Sequence, residues 1–251
     1  MLGALDQTQV QAFHDEGYLG PFDLCSAQQM HAYRQHIDQI LYQTMREAPA
    51  KPVNKSRHLD DPVVYELCSH RALVDKVTSI LGPDVLLWQS NFFNKEVGTA
   101  AYPWHQDAHY WSGVIEPQLS VSAWLAIDNA AEYNGCVQLI PGSHKRTYRH
   151  VDTADFAGSF RQQADPEEIA LQKQSPVSME LEAGQFFLFS ERMLHRSAAN
   201  VSNDRRLGLA IRLTSPIVRV NKNHPVLLVH GEDRMGFNAI GSPPTTGLGV
   251  S

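Results

Sequence analysis

Residues 119–127, LSVSAWLAI, alternate in character: Leu119, Val121, Ala123, Leu125 and Ile127 fall on one side, and Ser120, Ser122, Trp124 and Ala126 on the other. Successive side chains of an extended chain point to opposite sides, so this period of two predicts a half-buried β-strand. Other short apolar runs follow the same logic: VLLWQSNFF (85–93), CVQLIP (136–141), VSMEL (177–181), GQFFLFS (184–190) and LGLAIRLT (207–214). Gly, Pro, Asn and Asp separate them, as turns require. Upstream the texture is helical. Residues 5–16 and 26–46 carry apolar side chains at three- and four-residue steps, with Met30, Tyr33, Ile37, Ile40, Leu41 and Met45 in the second run. Ser26 is a candidate N-cap. Residues 48–62 predict a loop, and 63–81 a helix stopped by Gly82-Pro83.

Helices first and many short strands afterwards predict a mainly β chain with flanking helices, an α+β arrangement around a jelly-roll or barrel core. No repeat or linker divides it, so one domain over 1–251 is expected: 1–84 helical support, 85–230 the core, 231–251 a Gly/Pro-rich tail. Residues 142–175 look like an irregular polar insertion. With 43% hydrophobic and 19% charged residues the composition is that of an ordinary globular chain. A net charge of −6 gives no basic footprint for nucleic acid or an anionic membrane. Neither a signal-peptide core nor an apolar run of membrane-spanning length is expected. Cys25, Cys68 and Cys136 are far apart and without CxxC spacing, which fits a reducing cytoplasm, and leaves the Asn-x-Ser matches at Asn54 and Asn200 as chance.

The sharpest local feature is Tyr102-Pro103-Trp104-His105-Gln106-Asp107. If residues 104–108 are extended, His105 and Asp107 face one side and Gln106 the other. An imidazole and a carboxylate on one side supply two neighbouring metal ligands, and a second imidazole from another strand would complete a facial triad with open positions. His-x-Asp alone is common among twelve histidines. His14, His31, His36, His58, His70, His144, His150, His224 and His230 lack a carboxylate at strand spacing and read as surface or packed residues. His109 could line the pocket beyond a metal.

A second element lies in 184–214, where an apolar strand leads into His195 and Arg206 follows eleven residues later. Leu207, Leu209, Ile211 and Leu213 then share one face, with Arg206, Gly208, Ala210 and Arg212 on the other. Two arginines on the small-residue face make sense if the interior holds an anion, because a guanidinium grips a carboxylate bidentately. The plainer alternative pairs Arg206 with Asp204 or Glu191 on the surface.

Together, WHQD at 104–107, SAWLAIDNAAEYNGCVQLIPGSHKR at 122–146 and the LHRSAANVS…RR stretch at 194–206 closely resemble the phytanoyl-CoA dioxygenase-like family, and FHDEGYLGPFDLCSAQQ at 13–29 resembles its N-terminal helix and turn. The resemblance implies a double-stranded β-helix and a dioxygenase dependent on Fe(II), 2-oxoglutarate and O2. It assigns the iron to His105, Asp107 and His195, and the distal carboxylate of 2-oxoglutarate to Arg206. Ser197, Trp124 and Asn91 match further co-substrate contacts, and a basic residue near Arg57 matches loosely. Asn134-Gly135 and Pro141-Gly142-Ser143-His144 match as structural turns. Related halogenases carry Gly or Ala where this chain has Asp107, which disfavours halogenation.

The expected reaction is oxidation, chiefly hydroxylation, of a small metabolite or natural-product intermediate with release of succinate and CO2. Tyr102, His109, Tyr110 and Trp111 flank the metal pair as candidate pocket residues, and Arg192, Arg196 and Arg212 as candidate partners of an acidic substrate. Two other classes stay open: a non-catalytic jelly-roll protein binding a metal or sugar, and a zinc-dependent non-redox enzyme of the cupin type.

Overall fold

A computed structural model describes residues 3–43, 54–153 and 161–245. The helical layer contains α1 (Gln7–Glu16), α2 (Ala27–Gln43), α3 (Pro62–Cys68) and α4 (Arg71–Leu81), with strand β1 (Tyr18–Asp23) between α1 and α2. Local chemistry sets these boundaries. Asp6 caps α1 by accepting from the Gln9 amide at 2.8 Å, and Gly17 ends it at φ 81°. Ser26 caps α2 as expected: its Oγ accepts from the Gln29 amide while the Gln29 side chain returns to the Ser26 amide. Met45, assigned to this helix from its spacing, lies outside the described residues.

The single helix expected over 63–81 is two helices. Asp61 caps α3, with Pro62 at its first position, and the His70 side chain caps α4 by accepting from the Ala72 amide. Ser69 bonds back to the Tyr65 carbonyl, and the chain turns there.

The strands are β2 (Val85–Lys95), β3 (Tyr102–His105), β4 (Ile115–Glu116), β5 (Val121–Ala126), β6 (Val137–Leu139), β7 (His150–Asp152) and β8 (Gln162–Ala164). Then come β9 (Val177–Met179), β10 (Gln185–Ser190), β11 (His195–Ser197), β12 (Arg206–Thr214), β13 (Arg219–Val220) and β14 (Leu227–His230). Short helices α5 (Asp107–Tyr110) and α6 (Pro166–Ala170) interrupt them. A six-stranded sheet runs β1-β10-β5-β12-β2-β14 and a four-stranded sheet β3-β11-β6-β9, with all strand pairs antiparallel. This is the expected jelly-roll core with flanking helices.

The alternation in β5 and β12 holds, but neither strand is half-buried: every residue of both is buried. Leu207, Leu209, Ile211 and Leu213 join Val121, Ala123 and Leu125 against Met30, Ile37, Val64, Leu67 and Val77 of the helices. Trp124, Ala126 and Ala210 pack instead between the sheets, against Val137, Leu139 and Met179. The polar side of each strand thus faces a second layer of protein, not water. Strand β2 runs two residues beyond its expected end, to Lys95, and β1, β3, β4, β7, β8, β11, β13 and β14 had no expected strand. The insertion at 142–175 contains the β7–β8 ribbon and α6, with 154–160 outside the described residues. The tail to residue 245 has no regular element, yet it is tied down where the Val226 amide donates to the Ala239 carbonyl and the Gly241 amide to the Val226 carbonyl. Among the described residues no helix is long and apolar enough to cross a membrane.

Candidate metal centre

Strand pairing alone brings the two key histidines together. His195 on β11 lies directly opposite His105 on β3, with ring centroids 4.1 Å apart. Asp107 arrives differently from the expectation. Strand β3 stops at His105, Gln106 stays extended, and Asp107 begins the helical turn α5. The outcome is the same: one potential ligand atom from each of His105, Asp107 and His195 lies within 4.8 Å of the others, and all three residues are buried.

The histidine tautomers follow from their partners. Nδ1 of His105 is 2.9 Å from the Pro103 carbonyl and Nδ1 of His195 is 2.9 Å from the Met193 carbonyl. A carbonyl only accepts, so Nδ1 carries the proton in both rings and Nε2 is the basic atom. Burial holds both imidazoles below the ordinary histidine range, with His195 adding to the effect at His105 and Asp107 opposing it at His195. Neutral rings with a fixed tautomer are the form that ligates a metal. Two imidazoles and one carboxylate, all buried, fit a divalent first-row cation of the non-haem iron type.

Gln106, which points away from the metal side as expected, is buried and fully engaged. Its Nε2 donates to the carbonyls of Arg146 and Arg192, and its Oε1 accepts from the Tyr148 amide. The Gln106 amide donates to His150 Nε2 at 3.2 Å. One side chain therefore fastens the His105–Asp107 turn to the segment leading into His195. His150, assigned from sequence to surface or packing, stacks on His109 at 3.9 Å between centroids. No spacing rule points to either contact, since both cross more than forty positions.

The cleft at the cluster holds about 450 Å³ of empty space, part of it open to solvent. Phe93, Tyr102, Trp124, Val137, Phe189, Arg196, Ser197, Arg206 and Arg212 complete its lining. Arg206 is buried, and neither Asp204 nor Glu191 pairs with it. Neighbouring Arg205 takes the carboxylates, bonding Asp128 and Asp38. Among the described residues Arg206 has no anionic partner, and its Nε has no hydrogen bond. Burial pulls its pKa down to about 10, and the guanidinium sits 5.2 Å from the Trp124 ring. Gly208 makes that approach possible: a Cβ there would lie 2.0 Å from the Trp124 indole. Lys95, paired in register with Arg206, is also fully buried, donating to the Ala100 carbonyl and lying over the Tyr102 ring at 4.3 Å. Burial, helped by Arg206, lowers its amine to about 7. Among the described residues, the hydroxyl of Ser197 and Oδ1 of Asn91 are buried without a hydrogen-bond partner. Asn91 lies opposite Ala210 but does not line the cleft.

Other candidates sit elsewhere. Trp111 does not border the cleft; it is buried edge-on against Trp88 and lies under the Arg212 guanidinium at 5.1 Å. His109 lines a separate depression with Thr147 and Arg192, and hydrogen-bonds Gln162. Tyr110 meets the His105 ring edge-on at 5.9 Å, and its hydroxyl donates to the Gln162 carbonyl. Arg57 pairs with Asp60, Arg192 with Thr147, and Arg196 with Gln138 while covering Trp104. Arg212 faces Asp107.

The sequence profile of the phytanoyl-CoA dioxygenase (PhyH) family matches residues 13–208. Human peroxisomal phytanoyl-CoA dioxygenase is 24% identical over 161 residues, 62% of this chain and 47% of that protein. The chain thus matches about half the length of this relative. Ectoine dioxygenase of Nocardia farcinica is 25% identical over 225 residues, 80% of this chain and 74% of that one. Among solved structures, "CytC3 with Fe(II) and alpha-ketoglutarate" superposes with a TM-score of 0.74 at 23% identity, covering 96% of this chain and 95% of that one, a likeness of fold. With its profile matched across most of its length, the chain belongs to the phytanoyl-CoA dioxygenase family.

Proposed function

We propose that this protein is a non-haem Fe(II)- and 2-oxoglutarate-dependent dioxygenase that oxidises a C–H bond of a small metabolite, most simply to an alcohol, with release of succinate and CO2. The observation that carries this reading is one cleft with a buried His–Asp–His cluster at one place and, at another, a buried cation, Arg206, that has no anionic partner among the described residues. His105, Asp107 and His195 would hold the metal. A ferrous ion there supplies a centre with open positions for a 2-oxo acid and dioxygen.

The remaining chemistry belongs to the chain. The neutral imidazoles present Nε2 without first losing a proton. Arg206 fixes the far carboxylate of 2-oxoglutarate by charge-assisted hydrogen bonds, and Ser197 offers that group a further hydroxyl. Trp124, held over Gly208, walls the co-substrate from water. Phe93, Tyr102, Val137 and Phe189 give the rest of the cleft an apolar surface that positions a C–H bond near the metal. By their names, the relatives act on phytanoyl-CoA and on ectoine. We read the prime substrate as a small metabolite or biosynthetic intermediate taken free from solution, with a C–H bond set against this apolar lining.

The zinc and non-catalytic readings leave Arg206 without a role. Anaerobic reconstitution with Fe(II), followed by O2 and 2-oxoglutarate, tests the choice through succinate and CO2 formed in the absence of prime substrate. Slow uncoupled turnover, lost in His195→Ala, is the expected result. No turnover of 2-oxoglutarate with iron bound, or equal stability with zinc and no redox activity, would refute it.

A further inference from the structure

Arg212 is a buried guanidinium whose only anionic partner among the described residues is Asp107: Nη2 lies 2.9 Å from Oδ2, in an ion pair without hydrogen-bond alignment. Among the described residues its Nε and Nη1 have no hydrogen-bond partner. Two rings confine it, Trp111 at 5.1 Å and Phe189 at 5.5 Å. Trp111 is in turn braced by Trp88, which stands at an irregularity in the β2–β12 register: Arg212 pairs with Gln89 while Leu213 pairs with Leu87. An extra residue in one strand re-aims the side chains around it. The backbone is equally fixed, since β12 lies between β5 and β2 in the middle of the large sheet. Burying a charge between aromatic rings is costly unless a counter-charge is held close, and Asp107 is that counter-charge.

We propose that Arg212 is a positioning residue that holds one oxygen of Asp107, so that the carboxylate offers a metal its other oxygen alone. This rests on the metal reading of His105, Asp107 and His195. A carboxylate free to rotate can chelate with both oxygens, which fills a position that a bidentate 2-oxo acid needs. Arg212 thereby acts on co-substrate binding without touching the co-substrate, and its role differs from that of Arg206 at the other end of the same strand.

The test uses Co(II) as a spectroscopic probe in the full-length protein, comparing wild type, Arg212→Met and Arg212→Lys, each checked for folding by circular dichroism. In Arg212→Met, Co(II) affinity is expected to fall about 10- to 100-fold, the usual cost of losing an outer partner of a ligand. The visible Co(II) spectrum should change, and the Fe(II)–2-oxoglutarate chelate band should weaken. Arg212→Lys should recover much of each signal. Unchanged affinity, spectrum and chelate band in a folded Arg212→Met protein would overturn the proposal while leaving the metal site intact; so would a defect confined to KM for the prime substrate. Failure of the wild type to bind Co(II) would sink the metal reading itself. Should Arg212→Met not fold, an anaerobic crystal structure of the wild-type Co(II) complex decides: Asp107 bound through one oxygen with Arg212 on the other supports it, and Asp107 chelating through both overturns it.

Discussion

The outer face of the six-stranded sheet and its inner face are built from alternate residues of the same strands, and they carry opposite chemistry. Outward, Leu207, Leu209, Ile211 and Leu213 join an apolar cluster with side chains of the helical layer. Inward, Arg206, Gly208, Ala210 and Arg212 meet a cleft, an indole and a carboxylate. Both faces are buried, so burial does not tell them apart. What differs is whether the polar atoms are satisfied: several inner-face atoms have no hydrogen-bond partner among the described residues, which is how a site that awaits a ligand differs from a core that is complete.

Substitutions can break this contrast. His195→Ala should remove turnover of 2-oxoglutarate by at least ~10³, the scale on which losing one member of a catalytic unit acts, while the melting temperature falls little. Succinate assays beside thermal melts check both halves. Leu209→Ala, on the opposite face, should cost about 2–5 kcal/mol of stability by opening a cavity, with activity per folded molecule unchanged. If it altered KM for 2-oxoglutarate instead, the separation of faces would fail. Arg206→Met should raise that KM about 10- to 100-fold, from the ~1.5–3 kcal/mol that hydrogen bonds to charged groups contribute. Its Tm should rise, because an unpaired buried cation is gone. Gly208→Ala sharpens the picture further: a methyl 2.0 Å from the Trp124 ring must displace it, costing about 1–3 kcal/mol and weakening co-substrate binding.

The effect that is smallest at neutral pH concerns a buried histidine. His58 is buried with Nδ1 2.7 Å from the Ser90 hydroxyl, and burial lowers its pKa to about 3. The unfolded chain, with histidine near ~6.5, binds the extra proton throughout the window between these values, so stability should fall as pH drops from about 6.5 towards 3. His105 and His195 shift in the same direction. His58→Gln should therefore flatten, without abolishing, the dependence of Tm on pH. An unchanged slope would show that His58 is not a source of it.

The alternation through 207–213 was legible because period two fixes a side by backbone geometry. His105, Asp107, His195 and Arg206 were singled out by the family resemblance, and Asp107 reaches the cluster from α5, not from an extended chain. The pocket candidates were less legible. Trp111 and His109 follow Asp107 closely in sequence, yet α5 turns them behind the cleft, while Phe93, Val137 and Phe189 reach it from three other strands. The helix expected over 63–81 failed for a local reason, since His70 caps a second helix and histidine is not a residue that spacing singles out as a cap.

Local sequence was enough to show which residues alternate, where α2 begins and which side chains have the chemistry to hold a metal, because those depend on neighbours a few positions away. Only the tertiary structure decided that His195 stands opposite His105, that Arg205 takes the carboxylates and leaves Arg206 without one, and that Arg212 faces Asp107. Strand register and charge pairing are contests among groups tens of residues apart, settled by how two sheets close on each other, and no local period records the result.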